Sequence, residues 1–257
     1  MPDYFKDFVY FGIKQARAAL FAGSFLFLIF ISSYIHIPGL GRYDFLLLAA
    51  VAIQVLMIVF KLETKDEAKT ILLFHVIGLI LEIYKTSPHI GSWTYPEAGY
   101  FKIWNVPLYS GFMYASIGSY IAASWKQFDL QLTNYPKHIY SVFLAGLAYL
   151  NFFTHHFIPD FRWIFIVGIF ALYWKTKVKF TPRIREYSMP LSLGFILIAC
   201  FVWIAENIGT FYGAWLYPSQ IHAWDVVSLN KITSWFLMVI ISFIIVAYLK
   251  HVKEKMI

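Results

Sequence analysis

Long apolar runs recur along the whole chain, and they constrain its fold more than any other feature of the sequence. A run of roughly 20 apolar residues spans the hydrocarbon core of a bilayer as a helix. Eight runs of about this kind are centred near residues 26, 52, 77, 114, 147, 168, 198 and 238. The run near 168 is short and reaches spanning length only if Arg162 and Lys175 at its ends snorkel to the interface. The pattern predicts an all-α polytopic membrane protein with about eight transmembrane helices.

The composition agrees with this interpretation, since 60% of the 257 residues are hydrophobic and only 14% are charged. So few charged side chains leave too little polar surface to cover a soluble globule. The first apolar run is longer than a signal-peptide core and no small-residue cleavage pattern follows it, so we interpret it as a helix. The single cysteine, Cys200, lies inside an apolar run, which excludes an intrachain disulfide.

Basic residues alternate between the loops and predict the orientation of the chain. With eight helices, one side of the membrane receives sixteen of the 21 Lys and Arg residues: Lys6, Lys14, Arg17, Lys61, Lys65, Lys69, Lys126, Lys137, Lys175, Lys177, Lys179, Arg183, Arg185, Lys250, Lys253 and Lys255. Cytoplasmic loops carry such an excess, so we expect a multi-pass protein of the cell (inner) membrane with both termini in the cytoplasm. The net charge of +7 then serves orientation and contact with membrane lipids, and no nucleic-acid partner is predicted.

Two short strings repeat along the chain at a constant offset. "HIGSWTYP" at 89–96 and "FYGAWLYP" at 211–218 share their Trp, Tyr and Pro, and each follows an apolar run that ends in a glutamate. Upstream, "IHIPGLGRYDF" at 35–45 pairs with "HHFIPDFRWIF" at 155–165. This order predicts two parallel four-helix repeats, residues 1–130 and 131–257, within one integral membrane domain and related by an axis along the membrane normal.

The two glutamates, Glu82 and Glu206, are the candidate catalytic residues. An ionisable residue within a spanning segment costs roughly 2 to 3 kcal/mol unless it is paired or neutral, so it indicates a functional site. Glu82 has Lys85 within ion-pair reach on the same predicted helix. Glu206 is followed by Asn207 and has no basic neighbour in sequence, which makes it the better candidate for a proton donor.

The predicted topology places further polar and aromatic residues in the same layer, near the outer interface. The candidate ligand-binding residues are His75, Arg42, Arg162, Trp93, Tyr95, Trp215, Tyr217 and Asn207. Two alternatives stay open, because the Trp and Tyr residues also suit an aromatic belt at the headgroup level and the glutamates also suit structural ion pairs with the two arginines. No zinc, Walker, Rossmann or nucleophile-elbow signature occurs, so neither a metal nor a cofactor is predicted.

Two segments carry a resemblance to a known family: "EIYKTSPHIGSWTYPEAGYFKIWNVPLYSGFMYASIGSY" and its echo "ENIGTFYGAWLYP". Over nearly its whole length the chain resembles a YoaT-like family of bacterial integral membrane proteins, the domain of unknown function 817. The intramembrane Glu, Gly-rich turn and aromatic-x-Tyr string are also similar to membrane carotenoid hydratases and small lycopene-cyclase subunits. In those proteins acidic residues are thought to protonate a polyene double bond, so that likeness implies the same role for Glu206 and Glu82. The paired acidic residues of the cyclases are missing from this chain.

The function predicted first is that of an enzyme or binding protein for a hydrophobic, isoprenoid-like or lipid ligand held near the two glutamates. The rival is a proton-coupled transporter of a small cationic or amphiphilic solute, which would use the same carboxylates. A non-catalytic membrane scaffold is the third reading. The sequence does not decide between enzyme and transporter, and it leaves the oligomeric state open.

Overall fold

The computed structural model describes residues 3–252, and α-helices make up most of this part of the chain. The helices described are α1 (Asp3–Ala18), α2 (Leu20–Ser32), α3 (Arg42–Val59), α4 (Lys65–Lys85), α5 (Ser110–Gln127), α6 (His138–Thr154), α7 (Arg162–Leu172), α8 (Leu191–Phe211) and α9 (Lys231–Ala247). A short 3-10 turn, Pro218–Gln220, follows α8, and a π-helical turn, Tyr248–Val252, continues α9. Each of the eight predicted centres lies within one of the helices α2 to α9.

Three of the described helices are long and apolar enough to cross a membrane: α3, α8, and α9 with its continuation to Lys250. A fourth span results if α1 and α2, which are bent by 66° at their junction, count as one broken helix. Helices α6 and α7 are apolar but shorter. With 11 residues, α7 rises only about 16 Å, roughly half the thickness of a hydrocarbon core. The described chain is therefore mostly helical with three or four candidate spans, and the count of eight stays a prediction.

Two small antiparallel sheets correct the expectation of an all-α chain. Strands β1 (Lys102–Ile103) and β2 (Val106–Pro107) form a hairpin. Strands β3 (Gln131–Thr133), β4 (Lys177–Phe180) and β5 (Tyr187–Pro190) form a sheet in the order β3-β4-β5. In β4, Val178 is buried while its neighbour Lys177 is exposed, because successive side chains of a strand point to opposite faces. The sequence predicts only a basic loop for this stretch.

The chain forms two compact units. Among the described residues, the first unit comprises 3–20, 118–201 and 232–252, and the second comprises Phe21–Ile117 and Val202–Lys231. The predicted repeats, 1–130 and 131–257, stay a prediction. Lys253 and Lys255, which were assigned to the predicted cytoplasmic end, lie outside the described residues.

The first unit contains the three-stranded sheet and the apolar helix α9 from Ile232 onward. Its aromatic core includes Phe195 of α8 and Phe243 of α9, whose ring centroids lie 5.0 Å apart. Helix α1 packs on the β4–β5 hairpin through polar side chains, since Lys14 Nζ donates to the Thr181 carbonyl at 2.9 Å. The basic segment around β4 is thus ordered by hydrogen bonds within the unit.

The second unit contains both repeated strings, helix α4 and the part of α8 from Val202 onward. Helix α4 begins at a capping box, in which the Thr64 hydroxyl accepts from the Glu67 amide and the Glu67 carboxylate accepts from the Thr64 amide. The core of this unit is rich in tyrosine. Tyr43 and Tyr109 are fully buried, and their ring centroids lie 5.2 Å apart. This core supports the loops that carry the strings.

Candidate functional site

Both repeated strings begin with the same backbone turn. Gly91 has φ 57° and Gly213 has φ 67°, and each glycine stands two residues before the tryptophan of its string. A left-handed backbone of this kind is accessible to glycine because it has no Cβ. Gly213 also ends α8, since the Gly213 amide donates to the Thr210 carbonyl at 3.0 Å.

The two strings pair with each other. The Thr94 amide donates to the Leu216 carbonyl at 2.9 Å, and the Leu216 amide donates to the Thr94 carbonyl at 2.9 Å. Thr94 and Leu216 occupy equivalent positions in the two strings, between the tryptophan and the tyrosine. The contact is thus an antiparallel pair in which each string presents the same residue position to the other.

Glu82, near the C-terminal end of α4, is buried within the first string. Its Oε2 atom accepts hydrogen bonds from Trp93 Nε1 and from the Tyr95 hydroxyl, both at 2.7 Å. Its Oε1 atom accepts from the hydroxyl of Tyr114, on α5, at 2.8 Å. All three donors are neutral groups. Hydrogen bonds to a carboxylate are stronger than those between neutral groups, so this arrangement compensates much of the cost of burying the side chain.

Glu206, on α8, is buried beside the second string, and the Tyr217 hydroxyl donates a hydrogen bond to its Oε1 atom. Tyr95 and Tyr217 therefore make the same contact from the same string position. The tryptophan of the second string, Trp215, packs over Gly209. A Cβ at Gly209 would lie 2.3 Å from the Trp215 ring, so the missing side chain makes room for the indole.

A positively charged side chain lies against the aromatic rings of both strings. The ring centroids of Trp93 and Tyr217 are 6.1 Å apart in an edge-on arrangement. Lys231 Nζ lies 4.2 Å from the Tyr217 centroid and 5.4 Å from the Trp93 centroid, within the range of cation–π attraction. The two rings thus contact a glutamate through their polar groups and an ammonium group through their faces.

The string tyrosines remain hydrogen-bond donors at physiological pH. Burial raises the pKa of Tyr95 well above its ordinary value, and the neighbouring Glu82 charge raises it further. Burial likewise raises the pKa of Tyr217, followed by the charge of Glu206. Neither hydroxyl loses its proton near neutral pH, so each can donate to its glutamate throughout that range.

Helix α5 packs closely on α4 beside Glu82. A Cβ at Gly78 would lie 2.3 Å from the Tyr114 ring, and a Cβ at Gly111 would lie 2.6 Å from His75 Nδ1. The His75 ring contacts Phe112 edge-on at 4.6 Å between centroids. Gly78 is therefore what lets the Tyr114 hydroxyl reach the Glu82 carboxyl.

The remaining predicted site residues make their described hydrogen bonds away from the glutamates. Arg42 pairs with Glu97 at 2.7 Å and also donates to Ser32 Oγ. Asn207 donates to the Trp203 carbonyl at 2.8 Å and accepts from the Val227 amide at 2.9 Å, which ties the following loop to α8.

Arg162 belongs to the first unit. There it pairs with Asp160 at 2.7 Å and donates to Thr233 at 3.2 Å.

Sequence reasoning missed Tyr114, Lys231 and Tyr109 as members of this region. The Tyr109 hydroxyl donates to the Ala214 carbonyl of the second string at 2.6 Å. The only sequence signal for Tyr114 is Gly78, four residues before Glu82, because a glycine on that helix face leaves room for a close neighbour. Among residues 3–252 there is no group of three His, Cys, Asp or Glu side chains suited to hold a metal ion.

The fold and the site together define a mostly helical chain with candidate membrane spans, in which two paired turns each bind a buried glutamate through a tyrosine. The chain belongs to the family described as "Protein of unknown function (DUF817)", which matches residues 7–243. It is 50% identical over 250 residues to the "Uncharacterized protein YoaT" of Bacillus subtilis (strain 168), covering 97% of this chain and 94% of that protein. No solved structure was found to match. The resemblance to the YoaT-like family of domain 817 is confirmed.

Proposed function

We propose that the chain is an integral protein of the cell membrane with eight transmembrane helices, two parallel four-helix repeats and both termini in the cytoplasm. The location of all eight apolar runs in helices supports this architecture. The two strings also share a left-handed glycine, a tyrosine bound to a glutamate and a reciprocal backbone pair. A two-fold axis along the membrane normal would relate the strings in this way and would place both of them at the outer face.

Cysteine labelling tests this topology in a Cys200→Ser background. Single cysteines at Ser219 and Asn134 suit the test because both positions are exposed. A membrane-impermeant maleimide added to intact cells should label the cysteine at 219, and the cysteine at 134 should react only after lysis. The reverse pattern, or equal labelling of both, would contradict the orientation.

Within this architecture, the site around Glu82 and Glu206 binds a hydrophobic, isoprenoid-like or lipid ligand. The observation that carries the proposal is the placement of two buried carboxyl groups among aromatic side chains of the paired strings. Apolar rings suit a hydrocarbon ligand, and a small number of polar groups would orient its reactive end.

The two glutamates take different roles in this proposal. Both carboxyl oxygens of Glu82 already accept hydrogen bonds, from three donors, so Glu82 anchors the first string. Glu206 is the acid: its carboxyl proton moves to the reacting end of the ligand, and the Tyr217 hydroxyl stabilises the carboxylate that remains. General acid catalysis of this kind contributes about 10²- to 10⁴-fold to a rate.

The test compares lipid and pigment extracts from cells that carry the wild-type protein, Glu206→Gln or no protein. Glu186→Gln is the matched control, because Glu186 is exposed on the β-hairpin of the first unit. The Glu206→Gln extract should match that of cells without the protein, and the Glu186→Gln extract should match wild type. Identical extracts from all four strains would refute an enzymatic role.

The position of Lys231 supports a second candidate, the transport of a small cationic solute. Its ammonium group lies against the faces of Tyr217 and Trp93, so the rings already accommodate a cation beside two carboxyl groups. Proton-dependent uptake of a quaternary ammonium probe into vesicles, lost in Glu206→Gln, together with unchanged extracts, would favour transport. A non-catalytic scaffold would tolerate both glutamine substitutions in every assay.

A further inference from the structure

Helix α1 buries polar side chains and exposes aromatic ones. Asp7 is only 4% exposed, whereas Tyr4 is 68% and Phe8 is 72% exposed. Folding in water favours the opposite distribution, since charged residues are almost never fully buried unless they are paired. The burial of Asp7 and the exposure of the aromatic side chains therefore need a physical explanation.

The inward face of α1 is held by polar contacts with the β4–β5 hairpin of the same unit. Asp7 Oδ2 accepts from the Tyr187 hydroxyl at 2.9 Å, and Asp7 Oδ1 lies 3.7 Å from Arg183 Nε. Lys14, two turns further along the helix, donates to the Thr181 carbonyl. These contacts fix the rotation of α1 about its axis. They therefore determine which side chains the opposite face of the helix exposes.

The outward face of α1 is a row of large apolar side chains. Phe5 is 46% and Ile13 is 45% exposed, in addition to Tyr4 and Phe8. Tyr4 and Phe8 are four residues apart, so their side chains lie on one side of the helix. Exposed apolar patches of this kind mark contact with another protein or with a membrane.

Basic residues border this face and join it to the hairpin. The Arg185 guanidinium lies 4.7 Å from the Tyr4 ring centroid, in cation–π contact. Ile184, in the same hairpin turn, is 74% exposed. On the helix itself, Arg17 is exposed. Three aromatic rings, two isoleucines and two arginines thus form one surface, which we call the α1 surface: Tyr4, Phe5, Phe8, Ile13, Arg17, Ile184 and Arg185.

We propose that the α1 surface docks on a lipid bilayer that contains anionic phospholipid. Its aromatic and aliphatic side chains enter the boundary between headgroups and acyl chains, and its arginines contact lipid phosphates. Amphipathic helices with basic flanks bind membrane surfaces in this way, and aromatic rings favour the headgroup level. The proposal concerns the first unit alone and does not depend on the ligand of the Glu206 site.

The experiment uses the full chain, reconstituted in two kinds of vesicle. One is phosphatidylcholine alone, and the other contains about one third phosphatidylglycerol, which is enough anionic lipid to attract basic side chains. In a Cys200→Ser background, a fluorescent label on Phe8→Cys is exposed either to aqueous iodide or to lipids spin-labelled near the headgroup. We expect quenching by the spin-labelled lipid and little quenching by iodide. Strong quenching by iodide would overturn the proposal, and so would protection from both quenchers, because protection would indicate a protein partner or a second copy.

A second measurement tests the choice of anionic lipid. Spin-labelled phosphatidylglycerol should associate with the protein in preference to phosphatidylcholine, and Arg185→Gln should reduce this preference by about five-fold, the effect of one basic residue near the surface. Arg185→Lys keeps the charge and should retain the preference. Equal association of the two lipids with the wild-type protein would show that the surface does not select anionic lipid.

Discussion

At the scale of single residues, Glu82 is held by hydrogen bonds from aromatic side chains. Three neutral donors from α5 and the first string converge on Glu82. The sequence had suggested Lys85 or an arginine as the neighbour of this glutamate, because it showed charge and spacing but not the aromatic side chains that approach from elsewhere in the chain. The bond to Tyr114 joins residues 32 positions apart and has no local signature.

Glu82→Gln should destabilise the protein by about 1 to 3 kcal/mol, the cost of leaving a buried donor unsatisfied. The glutamine amide nitrogen cannot accept a hydrogen bond, so at least one of the donors from Trp93, Tyr95 and Tyr114 loses its acceptor. Thermal unfolding in detergent measures the change, with the exposed Glu186→Gln as the matched control. A melting temperature equal to that of the control would show that the three hydrogen bonds contribute nothing to stability.

Tyr217→Phe and Trp215→Phe should separate activity from stability. The first change removes the hydroxyl that contacts Glu206, so the extract phenotype should weaken, and the melting temperature should fall only by the loss of one hydrogen bond. The second change leaves a void beside Gly209, where the buried indole now packs, so it should lower the melting temperature further and leave the extract phenotype intact. If the strings formed only an aromatic belt, Tyr217→Phe would leave both quantities unchanged.

At the scale of elements, long apolar runs predicted that helices would form. They did not predict the residues at which those helices begin and end. The first run was expected to be one helix, and its centre lies in α2, but a separate helix, α1, precedes it across a bend of 66°. The sequence shows Lys6, Asp7, Lys14 and Arg17 before the apolar run. It does not show that Asp7 and Lys14 turn inward to meet the β4–β5 hairpin, because those contacts join residues more than 160 positions apart.

The contact between α4 and α5 depends on glycine. Gly78→Ala should destabilise the protein by about 1 to 3 kcal/mol through overpacking, because the new methyl group would lie 2.3 Å from the Tyr114 ring. Gly146→Ala, on α6, is the control: nothing lies within 4 Å of the added atom, so the better helix propensity of alanine should leave stability unchanged or slightly raised. Equal melting temperatures for the two variants would contradict the close packing of Tyr114 on α4.

At the scale of the whole molecule, the internal repetition of the sequence was a better guide than its individual charges. The strings were recognised from Trp, Tyr and Pro at a constant offset, and the structure adds the shared glycine conformation and the Thr94–Leu216 pair. Arg42 and Arg162 also align in the sequence, but they do not share a contact as Tyr95 and Tyr217 do. Arg42 pairs with Glu97 in the second unit, and Arg162 pairs with Asp160 in the first. Sequence matching finds residues that correspond, but it cannot tell which partner each side chain meets.

The central claim is that the two repeated strings pair with each other and so hold both glutamates in one region. Disulfide formation between Thr94→Cys and Leu216→Cys, in a Cys200→Ser background, tests this most directly. Residues in such a hydrogen-bonded antiparallel pair have Cα atoms about 5.5 Å apart, within the range that a disulfide bridges. Mild oxidation of the membrane-embedded protein should therefore form a disulfide within one chain, detected by mass spectrometry of the linked peptides, and neither single-cysteine variant should form it. Two cysteines that both stay free and separately modifiable under the same oxidation would contradict the pairing and the site built on it.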